Sequence, residues 1–296
     1  MSPLTHQLAQ QVVAGIATGS IYACLALAIV MIHQAIDHVN FAQGEIAMFS
    51  TYLAWQGVQW GWPFPLAFVA AVALSVLLGM ALDRIVFRPL HDAPALSQIV
   101  AFIALYALFN SLAGFVWTHE VREFPSPFGS RPLFGSGLVS THQAGMVGVV
   151  LLVLVLLTIF FRGTRVGLAM RASAGNPASA RLVGIRVAWM MALGWGMAAG
   201  IGAVAGMLIA PVVFLEPNMM SGILLYGLAA AVVGGLSSPV GAVVGGLLVG
   251  IVENLVGTFV PVVGSELKLP IALCLIVAVL TIKPDGLFGR RVVLRV

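Results

Sequence analysis

Acidic and amide side chains are the few groups in this sequence that could do chemistry inside its long apolar stretches. Glu45 occurs in NFAQGEIAMFSTY, Glu253 and Asn254 occur in GIVENLVG, and Asn110 interrupts another apolar stretch. A charge at the centre of a bilayer costs about 2.5–3.5 kcal/mol on insertion scales, so such residues usually face a cavity or a partner. Two interpretations stay open for each residue. It lines or gates a translocation path, or it makes a structural hydrogen bond between helices, with the glutamates protonated.

The second unusual feature is a basic segment at 162–187, which carries five arginines and no acidic residue. It contains the start and stop signals of a short helix. Asn176 is a good N-cap because its side chain accepts from free backbone N–H groups, and Pro177 fits the first helical position. Gly184 fits the left-handed position after the helix ends. The sequence therefore predicts a helix over 177–183, about 10 Å long.

A free helix of this length is marginal in water, so it needs a surface to pack against. It offers a small apolar face with one arginine beside it. These residues are Ala178, Leu182, Val183 or Ile185, and Arg181. One interpretation is docking into a groove on another protein. The other is a short helix that lies on the bilayer surface and is held there by its arginines.

Motifs that would indicate an enzyme or a nucleotide engine are absent from the sequence. It has no GxxxxGK[ST] phosphate loop, no HExxH zinc motif and no obvious nucleophile elbow. We therefore expect no catalytic residue, no metal and no cofactor. The basic residues are few and flank apolar runs, which is typical of membrane proteins and gives no indication of a nucleic-acid partner.

The composition places these residues in a membrane protein. The chain has 296 residues, of which 60% are hydrophobic and 8% are charged, whereas soluble domains are about 25% charged. Its mean hydropathy is +1.07. A soluble fold of this size would lack the polar residues to cover its surface. We predict an all-α, polytopic membrane protein with about eight or nine transmembrane or re-entrant helices, forming a single domain over 1–296.

Nine apolar runs are the candidate helices. They lie at 9–32, 41–58, 63–87, 95–116, 143–161, 188–211, 221–236, 239–258 and 268–283. The short run 41–58 follows the polar stretch HQAIDHVN, which indicates a broken helix. The pair 221–236 and 239–258 is either two tilted spans or one span with a re-entrant hairpin. The turn between them contains Ser237, Ser238 and Pro239 and needs shelter in protein or a water-filled cavity if it lies at membrane depth.

Lysine and arginine counts predict the orientation of the chain. Eleven basic residues fall in 84–92, 162–186 and 283–296, while Arg122, Arg131 and Lys268 fall on the other side. The bias places the first three segments, including the C-terminus, in the cytoplasm. The segment 117–142 is rich in proline, glycine and serine and is predicted to be an external loop. Its aromatic side chains either rest at the membrane interface or contact an external partner.

Four blocks in this order resemble the permease subunits of branched-chain amino acid ATP-binding-cassette (ABC) importers, and most closely the shorter, LivH-type permease. They are VNFAQGEIAMFSTYLA (39–54), TRVGLAMRASAGNPASARLVGIRV (164–187), GGLSSPVGAVVGGLLVGIVE (234–253) and KPDGLFGR (283–290). The resemblance covers nearly the whole chain. Gln43 departs from the histidine that many relatives carry, which puts any proton-transfer role there in doubt.

The resemblance implies packed membrane helices with an inverted internal pseudo-repeat, located in the cell inner membrane. It implies three kinds of neighbour besides lipid: two cytoplasmic ABC ATPase subunits, a second related permease that makes a heterodimer, and a periplasmic substrate-binding protein. The 162–187 loop then corresponds to the segment that docks on an ATPase. Its coupling residues are Arg171, Asn176, Pro177, Ala178, Arg181, Leu182, Val183 and Gly184.

The same resemblance implies import of aliphatic amino acids by alternating access, with specificity largely in the binding protein and release near 117–142 and 212–220. The expected path or gate residues are Asn40, Gln43, Glu45, Asn110, Ser237, Ser238, Pro239, Glu253 and Asn254. Import of urea or a short amide is the nearest alternative substrate class. An ion-coupled secondary transporter, with Glu45 and Glu253 as coupling carboxylates, is the alternative from another class.

Overall fold

A computed structural model of the chain describes residues 3–36, 40–90, 93–129, 131–133, 139–260 and 267–289. Within these ranges the protein is almost entirely helical. The helices are α1 (Pro3–Ile36), α2 (Gln43–Gln59), α3 (Phe64–Leu82), α4 (Ala95–Trp117), α5 (Thr141–Gly163), α6 (Arg165–Gly175), α7 (Pro177–Leu182), α8 (Val187–Val213), α9 (Ser221–Gly234), α10 (Pro239–Phe259) and α11 (Lys268–Ile282). One π-helical turn, Asp83–Phe87, continues α3. The strands β1 (Pro132–Leu133) and β2 (Val139–Ser140) form a short antiparallel ribbon.

The all-α class predicted from composition is confirmed, because each of the nine apolar runs is a helix. Among the described residues, six helices are long and apolar enough to cross a membrane: α1, α3 with its π turn, α4, α5, α8 and α10. The helices α9 and α11 are apolar but shorter. The predicted break after the first run is also confirmed, since α1 ends at Ile36 and α2 begins at Gln43.

One compact unit comprises residues 31–125 and 151–221. In this unit α8 packs on α3, and α2 packs on α3, α4 and α8. Trp195 of α8 is 1% exposed, and its ring stacks on Phe87 with the centroids 4.3 Å apart. Phe87 in turn stacks on Phe102 at 4.7 Å. The outward side chains of α3 and α4 are apolar and exposed, as expected of helices that face lipid.

The other compact unit comprises residues 1–30, 126–150 and 222–296. Here α1 and α10 approach each other along glycines. A Cβ built on Gly246 would overlap the backbone of Ala23, and one built on Gly250 would overlap the backbone of Gly19. Small residues at this spacing let two membrane helices come close enough for backbone contact. The close approach of α1 and α10 therefore depends on glycine at these positions, because any side chain there would push the two helices apart.

Replacing Gly250 with alanine is expected to destabilise the protein by about 1–3 kcal/mol, the usual cost of an added methyl group in a filled interface. The matched control is Gly148→Ala in α5, where an added Cβ meets no atom within 4 Å. Thermal unfolding of the purified protein in detergent measures the difference. Equal unfolding temperatures for the two variants would contradict the tight α1–α10 contact.

Candidate functional site

The start of α2 is a buried polar turn. Asn40 and Gln43 are both fully buried. The Asn40 side chain accepts a hydrogen bond from the backbone N–H of Ala42 at 2.9 Å, and its amide donates to Oε1 of Gln43 at 3.4 Å. Nε2 of Gln43 donates to the carbonyl of Ala198 at 2.9 Å. This amide therefore ties α2 to α8, at a place where Gly202 leaves room for it.

These contacts place the start of α2 beside the middle of two helices that are long and apolar enough to cross a membrane. Ala198 lies eleven residues, or about 16 Å, along α8 from Val187. Asn110, the next neighbour of the α2 start, lies fifteen residues, or about 22 Å, along α4 from Ala95. Both partners are interior positions of helices that are long enough to span a bilayer. The first turn of α2 thus lies between two spans.

Glu45 lies in this first turn and is fully buried. Its Oε2 accepts from the Asn110 amide at 3.4 Å. Its Oε1 has no hydrogen-bond partner in the part of the chain that the structure describes. A carboxylate is favoured at a helix N-terminus by the unpaired N–H groups there. One oxygen of this buried acid is therefore left without a hydrogen-bond partner among the described residues.

Asn110 connects this acid to the turn that follows α8. Its Nδ2 donates to the carbonyl of Pro217 and to Oδ1 of Asn218, both at 3.0 Å. Asn110 is half-buried and Asn218 is exposed, so the polar network runs from a buried carboxylate to the surface. The predicted polar residues Glu45 and Asn110 are thus brought together. Asn218 was missed, since nothing in the sequence relates an exposed turn residue to α4.

An aromatic and polar stripe continues along the same side of α2. Residues 45, 49, 52 and 56 follow helical spacing and face α4. The rings of Phe49 and Tyr52 pack on Trp117, with centroids 5.4 Å and 4.9 Å away. Trp117 donates its Nε1–H to Gln56 at 2.9 Å. The buried Tyr52 hydroxyl has no hydrogen-bond partner among the described residues. It is the second polar group on this stripe, after Oε1 of Glu45, that lacks one.

This stripe was not predicted from the sequence. Its signal was present, because a glutamate, a phenylalanine, a tyrosine and a glutamine recur at spacings of 4, 3 and 4. The partner face on α4, with Phe109 and Trp117, carried no separate signal in an apolar run. Phe109 packs on Phe49 with the ring centroids 5.3 Å apart.

The far end of the stripe is closed by Arg122 from the segment after α4. Its guanidinium donates to the carbonyl of Trp117 at 2.7 Å and lies 4.5 Å from the ring centroid of Trp55. Its backbone pairs in both directions with Leu215. The first residues of the predicted external loop are therefore tied to the ends of α2, α4 and α8. Residues 130 and 134–138 of that loop lie outside the described ranges.

The second predicted carboxylate has a different environment. Oε2 of Glu253 accepts from the Tyr22 hydroxyl at 2.7 Å, and Oε1 lies 3.8 Å from Nζ of Lys268. The neighbouring Asn254 donates to Thr18 and to the carbonyl of Gly250, both at 2.9 Å. Both oxygens of Glu253 are occupied, in contrast to Glu45. This geometry is the pattern of structural bonds that join α1, α10 and α11.

The Ser-Pro turn begins a helix. Ser238 caps α10 by accepting from the backbone N–H of Gly241 at 3.0 Å, and Pro239 takes the first helical position. Ser237 is exposed. The C-terminal block returns to this turn, where the N–H of Leu287 donates to Val233 at 2.9 Å and that of Phe288 donates to Gly234 at 3.0 Å. Two sequence blocks that seemed independent thus form one structure.

The basic segment 162–187 contains the predicted short helix and one that was missed. In α7, Asn176 accepts from the N–H of Ser179 at 2.9 Å, and Gly184 after the helix has φ of +84°. The predicted helix, cap and stop are confirmed, although α7 ends one residue earlier, at Leu182. The preceding α6 is capped by Thr164, whose side chain accepts from Gly167 at 2.9 Å. Thr164 is thus a helix-start residue in the sequence from which α6 could have been predicted.

The outer face of α7 is apolar and is not covered by any part of the chain that the structure describes. Leu182 is 88% exposed and Val183 is 76% exposed, while Ala180 is the side chain that packs inward. Ile185 is only half-buried and belongs to a neighbouring cleft. The other predicted coupling side chains are exposed: Arg171, Asn176, Pro177, Ala178 and Arg181. The predicted coupling side chains are therefore exposed in this structure.

The described residues contain no group of three or more histidine, cysteine, aspartate or glutamate side chains that could hold a metal ion. What the arrangement offers is a buried acid with one open oxygen, a wall of aromatic rings beside it, and an exposed apolar helix on a basic segment. These are features suited to binding and moving a small polar molecule with an apolar part.

The family model and the sequence relatives that match this chain all describe branched-chain amino acid transport permeases. Residues 11–280 match the family model described as branched-chain amino acid transport system / permease component. The chain is 30% identical over 298 residues to the high-affinity branched-chain amino acid transport system permease protein LivH of Escherichia coli (strain K12), covering 95% of each chain. It is 30% identical over 307 residues to the corresponding protein BraD of Pseudomonas aeruginosa, covering 98% of each.

A more distant relative is the probable branched-chain amino acid transport permease protein LivH of Methanocaldococcus jannaschii, at 26% identity over 90% of this chain and 87% of that protein. Among solved structures, PsaBC from Streptococcus pneumoniae in complex with Fab covers 96% of this chain and 93% of its own, with a TM-score of 0.47 and 15% identity.

Proposed function

This chain belongs to the family of permease components of branched-chain amino acid transport systems, and from that premise we propose that it is the membrane subunit of an ABC importer that carries branched-chain amino acids into the cytoplasm by alternating access. It is a multi-pass transport permease and not an enzyme. The observation that carries the proposal is the buried Glu45, whose open oxygen lies on an aromatic stripe.

The stripe suits a zwitterion with an aliphatic side chain. The open oxygen of Glu45 accepts from the substrate ammonium group, and the rings of Phe49 and Trp117 contact its hydrocarbon part. Tyr52 lies seven residues further along α2, or about 10 Å. That separation is too long for one amino acid head group to bridge, so Glu45 and Tyr52 serve as successive positions on the path. Asn40, Gln43 and Asn110 hold the start of this path in place.

The coupling surface is α7. Its exposed Leu182 and Val183 are the apolar side chains that enter a groove on an ATPase subunit, with Arg171 and Arg181 beside them. The helices α6 and α7 both contact α8, and α8 contacts α2, where Gln43 bonds to Ala198. A displacement of α7 therefore reaches the first turn of α2 through packed helices of one unit.

The assembly contains two cytoplasmic ABC ATPase subunits, a second related permease and a periplasmic binding protein. The permease lies in the cell inner membrane, with 162–187 and the C-terminus in the cytoplasm and 117–142 outside. The names of the relatives and the basic-residue bias support this arrangement. The other expected path residues have structural roles in this proposal. Ser237, Ser238 and Pro239 form the turn that begins α10. Glu253 and Asn254 make hydrogen bonds and an ion pair that hold α1, α10 and α11 together.

Two other functions would place different chemical demands on Glu45 and Glu253. Import of urea or a short amide would use the same fold with a substrate that lacks the ammonium group, and would leave the open oxygen of Glu45 without a cationic partner. An ion-coupled secondary transporter would use Glu45 and Glu253 as titrating carboxylates. Glu253 already has both oxygens engaged, which leaves Glu45 alone for that role, and the transport assay below separates the two functions.

Transport by the reconstituted assembly tests the proposal. The chain is purified with its ATPases and second permease and placed in liposomes with the binding protein. We expect leucine, isoleucine and valine to accumulate with ATP and not with ADP, and neither urea nor acetamide to accumulate. Uptake of urea or acetamide in their place would contradict the substrate class. Uptake by this chain alone, driven by an ion gradient, would contradict the importer.

A further inference from the structure

A cleft of about 620 Å³ lies at one end of the 31–125 and 151–221 unit, where the end of α3, the end of α7 and the start of α8 meet. Four arginines line it: Arg84, Arg88, Arg181 and Arg186. All four side chains are exposed. Among the described residues none of them forms an ion pair, and the one acid in the lining, Asp83, is buried and already engaged. The cleft therefore gathers four arginines and one acid, and within the described ranges none of these arginines is paired with an acid.

The rest of the lining is mostly apolar. Met80, Val187 and Ala192 belong to it, and Trp189 lies at its edge with 46% of its surface exposed. Met80 precedes Arg84 by one turn on α3, and Ala192 follows Arg186 by more than one turn on α8, so the apolar lining lies deeper along both helices than the arginines. The cleft thus has a charged mouth and a hydrocarbon-like interior.

The surroundings of the cleft are those of a helix end that faces lipid. Ile85 is 72% exposed and Leu77 is 62% exposed on the neighbouring surface of α3. Tryptophan and arginine at the ends of spanning helices lie at the level of the lipid head groups. This composition is compatible with an occupant that comes from the membrane.

We propose that this cleft binds an anionic phospholipid, with its phosphodiester among Arg84, Arg88 and Arg186 and an acyl chain along the apolar lining from Met80 to Ala192. Guanidinium groups pair with phosphate oxygens in a bidentate manner, and basic pockets between membrane helices recognise anionic head groups. The first N–H groups of α8 add to the positive potential at the same place. An acidic side chain of a partner protein would neutralise the arginines but would leave the apolar lining uncovered, so lipid fits both halves of the cleft.

Binding of dioleoylphosphatidylglycerol to the full chain in neutral detergent tests the proposal, with dioleoylphosphatidylcholine as the neutral comparison. The variant R84Q/R186Q removes two arginines of the cleft, and R162Q/R165Q removes two exposed arginines of the same basic region that lie outside it. We expect the first variant to bind phosphatidylglycerol about 30-fold more weakly, since each arginine near an anionic head group contributes about fivefold. The control should lose less than threefold.

A second variant tests the apolar half without changing charge. Ala192→Phe fills the inner end of the cleft and is expected to weaken phosphatidylglycerol binding at least tenfold. It also keeps the proposal testable where R84Q/R186Q does not fold. Each variant is compared with the wild type by thermal unfolding in phosphatidylcholine.

Four results would overturn the proposal. The first is an equal loss of phosphatidylglycerol binding in the cleft and control variants, which would indicate a general surface attraction. The second is undiminished binding in Ala192→Phe. The third is binding of inorganic phosphate or glycerol 3-phosphate as tight as that of the lipid, which would identify a soluble anion as the ligand. The fourth is normal lipid binding by R84Q/R186Q with loss of a co-purifying ATPase, which would assign the cleft to a protein partner. None of these results depends on transport activity.

Discussion

Replacing Leu182 with glutamate is expected to reduce ATP-dependent uptake at least 100-fold while the permease remains folded. Leu182 is 88% exposed and contributes little to the packing of its own chain, so its loss should change the free energy of unfolding by less than about 0.5 kcal/mol. In an apolar groove of an ATPase subunit the same side chain is buried. A carboxylate forced into that groove costs several kcal/mol unless it finds a partner.

The matched control is Leu168→Glu on α6, since Leu168 is also exposed, at 60%, and lies in the same basic segment. Uptake into liposomes, ATP hydrolysis and retention of the ATPase subunits are measured for both variants. We expect Leu182→Glu to lose the ATPase and Leu168→Glu to retain it. Normal uptake with Leu182→Glu, or an equal loss with Leu168→Glu, would show that α7 is not the coupling helix. The substitution leaves the four arginines of the cleft unchanged.

The helices were predictable because their signals are local. An apolar run bounded by polar or breaking residues predicts a membrane helix from the sequence alone, and all nine runs proved to be helices. The caps of α7 were equally local, since Asn176, Pro177 and Gly184 each act within four residues. The helix α6 escaped because it is short and basic, and its only boundary signal was Thr164.

The candidate site was predictable only in part, because its residues come together through tertiary contacts. An acid in an apolar run marks a position that needs a partner. It does not say that Glu45 is left with an open oxygen while Glu253 meets Tyr22 and Lys268. Nor do apolar runs reveal that Trp117 meets Tyr52. Periodicity identifies one face of α2, but the helix that covers this face depends on the fold.

The same limit applies to the Ser-Pro turn. From sequence it was a polar interruption that required shelter, and its neighbours on both sides are glycine-rich. In the structure the Ser238 side chain caps α10. Leu287 and Phe288 of the C-terminal block donate hydrogen bonds to the backbone just before the turn and so cover it. The distance in sequence between these segments, about 50 residues, hides the relation.

Glu45→Gln is expected to lower uptake of branched-chain amino acids about 10- to 100-fold with little change in stability. Glutamine has nearly the same shape as glutamate. Its amide oxygen can still accept the hydrogen bond that Nδ2 of Asn110 donates to Oε2 of Glu45 in the wild type, at 3.4 Å. It lacks the negative charge that pairs with the substrate ammonium group. A hydrogen bond to a charged group contributes roughly 1.5–3 kcal/mol, which corresponds to the expected loss.

Glu253→Gln is the matched control, because both acids lie in buried turns of apolar helices and differ in their partners. Here the charge balances Lys268 and accepts from Tyr22, so we expect a loss of about 1–3 kcal/mol in unfolding free energy and normal uptake per folded molecule. Uptake at several substrate concentrations and thermal unfolding are measured for both variants. If Glu45→Gln transports normally, or if Glu253→Gln is the variant that loses transport while remaining stable, the substrate path does not run along the Glu45 face of α2.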